Sequence, residues 1–300
     1  MRSILPLFIL TLLLFGCTNQ KATRPPATSN PKPVMMRDIP YGSYAGMKSA
    51  LESAANLEDD AARSAALDEV IGTLKKAGTI PYASNDSVAF LYRGPAQRVS
   101  FAGDFNGWDG ESVGAQRVGY SDVWIHEEFF PTDARLDYKV VADGIWTLDP
   151  LNPAIQRSGF GDNSELRMPA YVESPWVARR TGIPHGSLTD GSLFSEWLRI
   201  TLDYQVYTPA GYEDMVGLPV MYVTDGHEYS DDRLGAMVAV MDNLIHGGKL
   251  RPMIAVFIDM RVNGANKRGE LLVLNEKFVG FVADELAPVI DRQSRTSTCL

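Results

Sequence analysis

Apolar positions recur at different spacings along this chain, and each change of spacing marks a change of structure. Between residues 43 and 79 the spacing is helical. A first helix is predicted over 45–56, and a second starts near Asp59 with Ala62, Ala66, Leu67, Val70, Ile71 and Leu74 on one face. Asp59 can cap its start and Gly78 its end. This hairpin (43–79) is expected to pack against its neighbour and to carry no chemistry. From Phe101 to Asn163, short apolar and aromatic runs alternate with clusters of Gly, Asp, Asn and Pro. That pattern predicts short strands joined by tight turns, hence a small β-sandwich over 80–172. The clearest strands are 98–102, 123–129 and 136–142, and Asp143-Gly144 is placed as a two-residue hairpin turn. Residues 173–195 are punctuated by Pro, Gly and Ser and read as a linker.

After residue 195 the rhythm changes again. WLRITLDYQVYTPAGY reads as one or two strands and a turn, LPVMYVTDG as a buried strand, and RPMIAVFID as another. Ser230 is expected to cap a helix carrying Leu234, Met237, Val238, Met241, Leu244 and Ile245, ended by Gly247-Gly248. Asn275 should open a further helix with Phe278, Phe281, Val282, Leu286 and Ile290. Strand, helix, strand, helix with nearly continuous apolar strands predicts a parallel sheet covered on both faces.

Length and composition narrow the class. The 300 residues suffice for two modest domains, and 45% hydrophobic content can build real cores. A formal net charge of -9 argues against a nucleic-acid partner, which needs a basic face. The two cysteines, Cys17 and Cys299, supply neither a disulfide scaffold nor a Cys metal site. No histidine or acidic cluster has metal-ligand spacing, so neither metal nor cofactor is expected.

Residues 1–16 have a positive start at Arg2 and an apolar stretch from Ile4 to Phe15, too short to span a bilayer, as in a secretory signal. Leu14-Phe15-Gly16-Cys17 resembles a bacterial lipobox, although Phe15 stands where a small residue is usual. The resemblance implies lipidation of Cys17, and Thr18 after it leans towards the outer membrane, on its periplasmic face. Residues 17–42 are too polar and Pro-rich to fold and read as a tether.

Trp108 and Trp146 flank turns in the sandwich. Each is either a flat stacking surface for a sugar ring or a plug for the end of the sandwich. GDFNGW, DYKVVADGIW and DP.NP resemble the glycogen-binding module, an early-set immunoglobulin-like domain. The resemblance implies a possible glycan ligand held by Trp108, Lys139, Trp146 and Asn163. Phe160 stands near an expected apolar position, one residue out of step.

QVYTPAGY, LPVMYVTDGHEY, RPMIAVFID and N..F..FV.DEL.P.I resemble the esterase D and enterochelin-esterase-like branch of the α/β-hydrolases, over residues 196–300. The fold expected overall is therefore multidomain: an immunoglobulin-like sandwich followed by the N-terminal part of an α/β-hydrolase. Such enzymes cleave esters with a serine on a Gly-x-Ser-x-Gly elbow, an acid and a histidine. Gly42-Ser43 and Gly186-Ser187 have no x-Gly in register, and Ser294 and Ser297 lack flanking glycines. The elbow, acid and final histidine are thus expected to be missing, with the chain truncated before the nucleophile and inactive as a serine esterase. An ester substrate would then belong to a longer form. The alternative is a non-catalytic glycan-binding lipoprotein.

One catalytic part implied by the resemblance remains. The loop Asp225-Gly226-His227-Glu228-Tyr229 follows a predicted strand, and the amides of Gly226 and His227 are candidates for an oxyanion hole. The His227 side chain reads poorly as a base, because Glu228 and Asp225 are its sequence neighbours and adjacent side chains point apart. Arg261, Arg268 and Glu270 either bind substrate or brace the loop. His185 has no identifiable partner, and His126 and His246 read as a strand-face and a helix-end residue.

Overall fold

A computed structural model describes residues 40–159, 161–294 and 296. The readings made on the signal segment, on Cys17, on most of the tether, and on Phe160, Ser297 and Cys299 lie outside the described residues.

Two capped helices come first, α1 (Tyr44–Ala55) and α2 (Asp60–Ala77). Ser43 caps α1 by accepting from Gly46 N at 3.0 Å, and Asp59 caps α2 by accepting from Ala62 N at 2.8 Å. Gly78 ends α2 at φ 65°, a conformation that glycine adopts without cost. Leu67, Val70, Ile71 and Leu74 form the buried stripe of α2.

The next nine strands are β1 (Tyr82–Ser84), β2 (Ser87–Arg93), β3 (Val99–Gly103), β4 (Gln116–Arg117), β5 (Val123–Phe129), β6 (Arg135–Ala142), β7 (Ile145–Thr147), β8 (Ile155–Gln156) and β9 (Asn163–Arg167). They make two antiparallel sheets, one ordered β1-β2-β5-β4 and the other β3-β6-β9-β8 with β7 on β6. Alternation along β2 shows how the layers stack. Val88 and Phe90 face the other sheet, where Phe90 meets Phe101 at 5.1 Å and Tyr138 at 4.9 Å between ring centroids. Ala89 and Leu91 face the opposite way, onto Met47, Leu51, Leu67 and Leu74 of the helices. The helical hairpin therefore covers the outer face of the first sheet. Asp143 (φ 49°) and Gly144 (φ 81°) form the two-residue turn between β6 and β7, as their residue types demand.

The second sheet system corrects four expectations. Residues 187–195 are not linker but the long strand β10 (Ser187–Ser195), paired in register along the whole of β11 (Ile200–Thr208). Polar residues such as Thr189, Asp190 and Ser192 disguise it, because β10 is an edge strand with one wet face. The sheet is ordered β10-β11-β13-β12 and is mixed: only β12 (Val220–Val223) and β13 (Ile254–Ile258) run parallel. β12 is half-buried rather than buried, while all five residues of β13 are buried. Helix α3 is a single turn (Gly226–Tyr229), and α4 starts at Met237 and ends at His246. Ser230 does not cap α4; its hydroxyl donates to Gln205 Oε1 at 2.8 Å.

A two-residue β-ribbon, β14 (Arg261–Val262) with β15 (Ala265–Asn266), precedes α5 (Arg268–Leu272), α6 (Glu276–Gly280) and α7 (Ala287–Gln293). Asn275 caps α6 as expected, accepting from Lys277 N at 3.0 Å. Between α6 and α7 the helix widens to a π-turn over Phe281–Leu286, just ahead of Pro288, whose missing N–H forbids an ordinary bond there. Phe278, Phe281, Leu286 and Ile290 cover one face of the sheet against Leu202, Ile254 and Val256; Val238 and Met241 cover the other against Tyr207, Ala255 and Phe257. Past α7, Thr296 makes a parallel bridge with Leu218, beside β12.

Candidate functional site

In open α/β sheets, ligands meet the chain where parallel strands end at their carboxyl termini. Here β12 runs on through Thr224 into Asp225-Gly226-His227, and β13 is followed by Asp259. Between them and β10–β11 lies a cleft of about 740 Å³ lined in part by Asp190, Asp203, Tyr204, Gln205, His227, Phe257, Asp259 and Arg261. Its floor depends on a missing side chain, since a Cβ on Gly191 would sit 2.4 Å from the Tyr204 ring. One wall is ordered by a relay in which Ser230 Oγ donates to Gln205, and Gln205 Nε2 donates to Asp190 Oδ1 at 2.9 Å.

Gly226 is the tightest point of the loop. A Cβ there would lie 2.3 Å from Phe257 C and 2.4 Å from Ile258 N, so only glycine lets the loop rest on the β13 backbone. Asp225 before it is held at φ 53°, a strained value for a residue with a Cβ. Its buried carboxylate meets Arg268 Nε at 3.1 Å through Oδ2, while Oδ1 has no hydrogen-bond partner among the described residues. The turn of α3 closes through Glu228 N and Tyr229 N on Asp225 O, at 2.9 and 3.2 Å. The amides of Gly226 and His227 precede that closure.

The His227 side chain has a better partner than its sequence neighbours. Its Nδ1 lies 3.1 Å from Asp259 Oδ1, at ion-pair distance although off the line of a hydrogen bond. Its Nε2 is 3.5 Å from Glu228 Oε1. Arg261 grips both Asp259 oxygens, with Nε at 3.0 and 3.1 Å and Nη2 at 2.6 Å. Burial pushes the Asp259 carboxyl up, but the Arg261 bonds and the His227 charge outweigh it and leave the group below the usual carboxylate range. Arg261 and Arg268 thus brace the two strand ends, and Glu270 pairs with Lys267 at 2.8 Å.

Other histidines resolve differently. His185, read as partnerless, has Nδ1 3.2 Å from Asp242 Oδ2. That buried carboxylate also accepts from Tyr207 Oη at 2.7 Å and Gly186 N at 2.8 Å, so the group ties β11 and the segment ahead of β10 to α4. His126 meets Glu128 at 3.1 Å on β5, and His246 ends α4. Asp231 and Asp232 lie ahead of α4 and pair with Arg233 and Arg179. No group of three or more His, Cys, Asp or Glu among the described residues could hold a metal.

The expectation that the sequence holds no elbow motif needs correction: Gly110-Glu111-Ser112-Val113-Gly114 matches Gly-x-Ser-x-Gly. Its setting is wrong for a nucleophile. An elbow needs a buried strand running into a helix, whereas these residues form a turn between β3 and β4 of the sandwich. Ser112 Oγ accepts from Asn106 Nδ2 at 2.9 Å, and Arg98 Nη2 donates to the Ser112 carbonyl at 3.0 Å. Residues 195–300 contain no such motif.

Lys139, Trp146 and Asn163 lie on the outer face of the second sheet, and Trp108 lies in the turn after β3. Along β6, Tyr138 and Val140 point into the core, so Asp137 and Lys139 point out. Trp146 is paired across from Val141 and is 45% exposed, with its ring against Gly110. Trp108 is half-buried at φ 61°, its Nε1 donating to Asp104 Oδ1 at 3.2 Å. Asn163 is buried, and its Nδ2 donates to Asp137 Oδ2 at 3.3 Å, so part of its hydrogen-bonding capacity is already used.

The fold is that of an esterase-like α/β-hydrolase. Residues 195–299 match the family described as Putative esterase. The enterobactin esterase of Shigella flexneri is similar in structure, with TM-score 0.55 and 21% identity, over 70% of this chain and 61% of that one. The ferric enterobactin esterase of Salmonella typhimurium gives 0.57 and 20% identity, over 70% and 62%. Because 70% of the chain exceeds what residues 195–299 could supply, that likeness reaches into the sandwich. An endo-1,4-beta-xylanase/feruloyl esterase of Xylanibacter ruminicola is 30% identical over 141 residues, which is 44% of this chain and 19% of that protein. The chain thus spans less than two thirds of the length of each of these relatives.

Proposed function

We propose that this chain carries the oxyanion side of a carboxylic-ester-hydrolase site, with the amides of Gly226 and His227 as donors. The observation that carries this reading is the seating of Gly226 on the β13 backbone, which fixes those amides at the carboxyl ends of the two parallel strands. The esterase-like fold and the similarity to ester-cleaving relatives support the substrate class. Because residues 195–300 hold no Gly-x-Ser-x-Gly, serine-dependent turnover is not expected of this chain. Purified protein should show no hydrolysis of p-nitrophenyl acetate that phenylmethylsulfonyl fluoride abolishes; such hydrolysis would refute the absence of serine turnover.

A second reading concerns the sandwich, proposed as an early-set immunoglobulin-like module that binds a glycan weakly. Its support is the outer face of the second sheet, which carries Lys139, Trp146 and Asn163 opposite the layer covered by the helices, with Trp108 in the turn after β3. A shallow surface of this kind should bind nearer millimolar than nanomolar, a span of about 8 kcal/mol. Maltoheptaose titrated against tryptophan fluorescence should saturate for the native chain and fail for Trp146→Ala; equal responses would make the sandwich a spacer. The protein is further proposed to be lipid-anchored through Cys17 in the bacterial envelope. Cys17→Ser should release it into the soluble periplasmic fraction, and identical partitioning of the two forms would exclude the anchor.

A further inference from the structure

We infer that His227 and Asp259 form a general-base dyad able to hydrolyse small activated esters with water and without a serine. The inference rests on the oxyanion reading of the same loop, since it uses the same amides to hold the acyl oxygen.

A histidine base needs a cleft, an orienting acid and one free ring nitrogen. His227 lines the cleft with its side chain 12% exposed. Asp259 stands at Nδ1, from the end of the neighbouring strand. Arg261 fixes that carboxylate twice over: its guanidinium spans both oxygens, and its backbone N donates to Oδ1 at 2.8 Å. The Nδ1 contact is at ion-pair distance, and a small turn of the ring would bring it onto the line of a hydrogen bond. Glu228 at 3.5 Å is too far to consume Nε2 by a hydrogen bond. Besides Asp259, the charged groups lining the same cleft are Asp190 on β10, Asp203 on β11, Asp231 on the turn before α4 and Arg261 on β14, with Glu228 next to the ring.

The chemistry balances with water as the only co-reactant. With the Nδ1 proton towards Asp259, Nε2 takes a proton from a water whose oxygen bonds to the acyl carbon. The acyl oxygen becomes an oxyanion facing the Gly226 and His227 amides. Collapse breaks the bond to the leaving oxygen, and the imidazolium returns its proton there. The products are a carboxylic acid and an alcohol or phenol, with no change of oxidation state.

The test follows p-nitrophenyl acetate hydrolysis by the full chain, native and as His227→Gln, His227→Asn and Asp259→Asn, each checked for folding by circular dichroism. The native rate should exceed buffer and ignore phenylmethylsulfonyl fluoride. It should fall about 100-fold in both His227 variants, within the range a positioned base supplies, and by about tenfold in Asp259→Asn. A native rate equal to buffer, or a folded His227→Gln with the native rate, would overturn the dyad. A rate abolished by the inhibitor would instead contradict both this inference and the absence of serine turnover.

Discussion

Substituting Gly226 by Ala tests the loop on which the functional reading depends. The added Cβ would meet Phe257 C at 2.3 Å, Ile258 N at 2.4 Å and Phe257 Cα at 2.7 Å. All three are backbone atoms of a fully buried strand, so no side chain can swing aside. The loop must lift from β13 by about 1 Å to restore ordinary contact, and overpacking of this kind costs about 2 kcal/mol. For a body of this size that corresponds to a fall in Tm of about 4–8 °C. Gly72→Ala is the matched control. Gly72 lies on the exposed side of α2 with nothing within 4 Å of an added methyl, so alanine there should add about 0.5–1 kcal/mol of stability. Thermal unfolding followed by circular dichroism should move the two variants in opposite directions. If Gly226→Ala melts with the native protein while Gly72→Ala rises, the loop does not rest on β13 and the oxyanion geometry fails with it.

Arg268→Ala should lower stability by about 2 kcal/mol, read from the urea midpoint, because it strips the Asp225 carboxylate of a cation while its other oxygen is already unpaired; an unchanged midpoint would mean water replaces the guanidinium. Asp231 is pulled down to about 2, chiefly by the Arg233 side chain. A depressed carboxyl contributes stability that is full above its unfolded value of about 3.9 and lost as pH falls through the folded one. Asp231→Asn should therefore flatten Tm between about pH 4 and 2, and an unaltered acid limb would show that the pair contributes nothing.

Strands and caps whose signals are local were legible in the sequence. β5, the Asp143-Gly144 turn, both caps of α2 and the Asn275 cap each rest on residues within a few positions of one another. β10 was not legible, because an edge strand with a wet face carries Thr, Asp, Gly and Ser where periodicity looks for apolar residues. The direction of β11 was hidden too, since antiparallel and parallel strands share an apolar pattern and differ only in what connects them. At the site, Gly226 and His227 could be named from their place after a strand. The partner of His227 could not: Asp259 is 32 positions away in sequence, and only the parallel pairing of β12 with β13 brings the two strand ends together. Gly110–Gly114 shows the converse, a matching motif placed where the fold gives it no strand, helix or histidine.

The most direct test of the oxyanion site is an amide titration. Uniformly ¹⁵N-labelled chain is titrated with benzylphosphonate, a tetrahedral anion that imitates the charged intermediate of ester cleavage. The account predicts saturable downfield shifts concentrated on the amides of Gly226 and His227, weakened when Gly226→Ala lifts the loop. Shifts confined to other residues, or none at saturating probe, would contradict it.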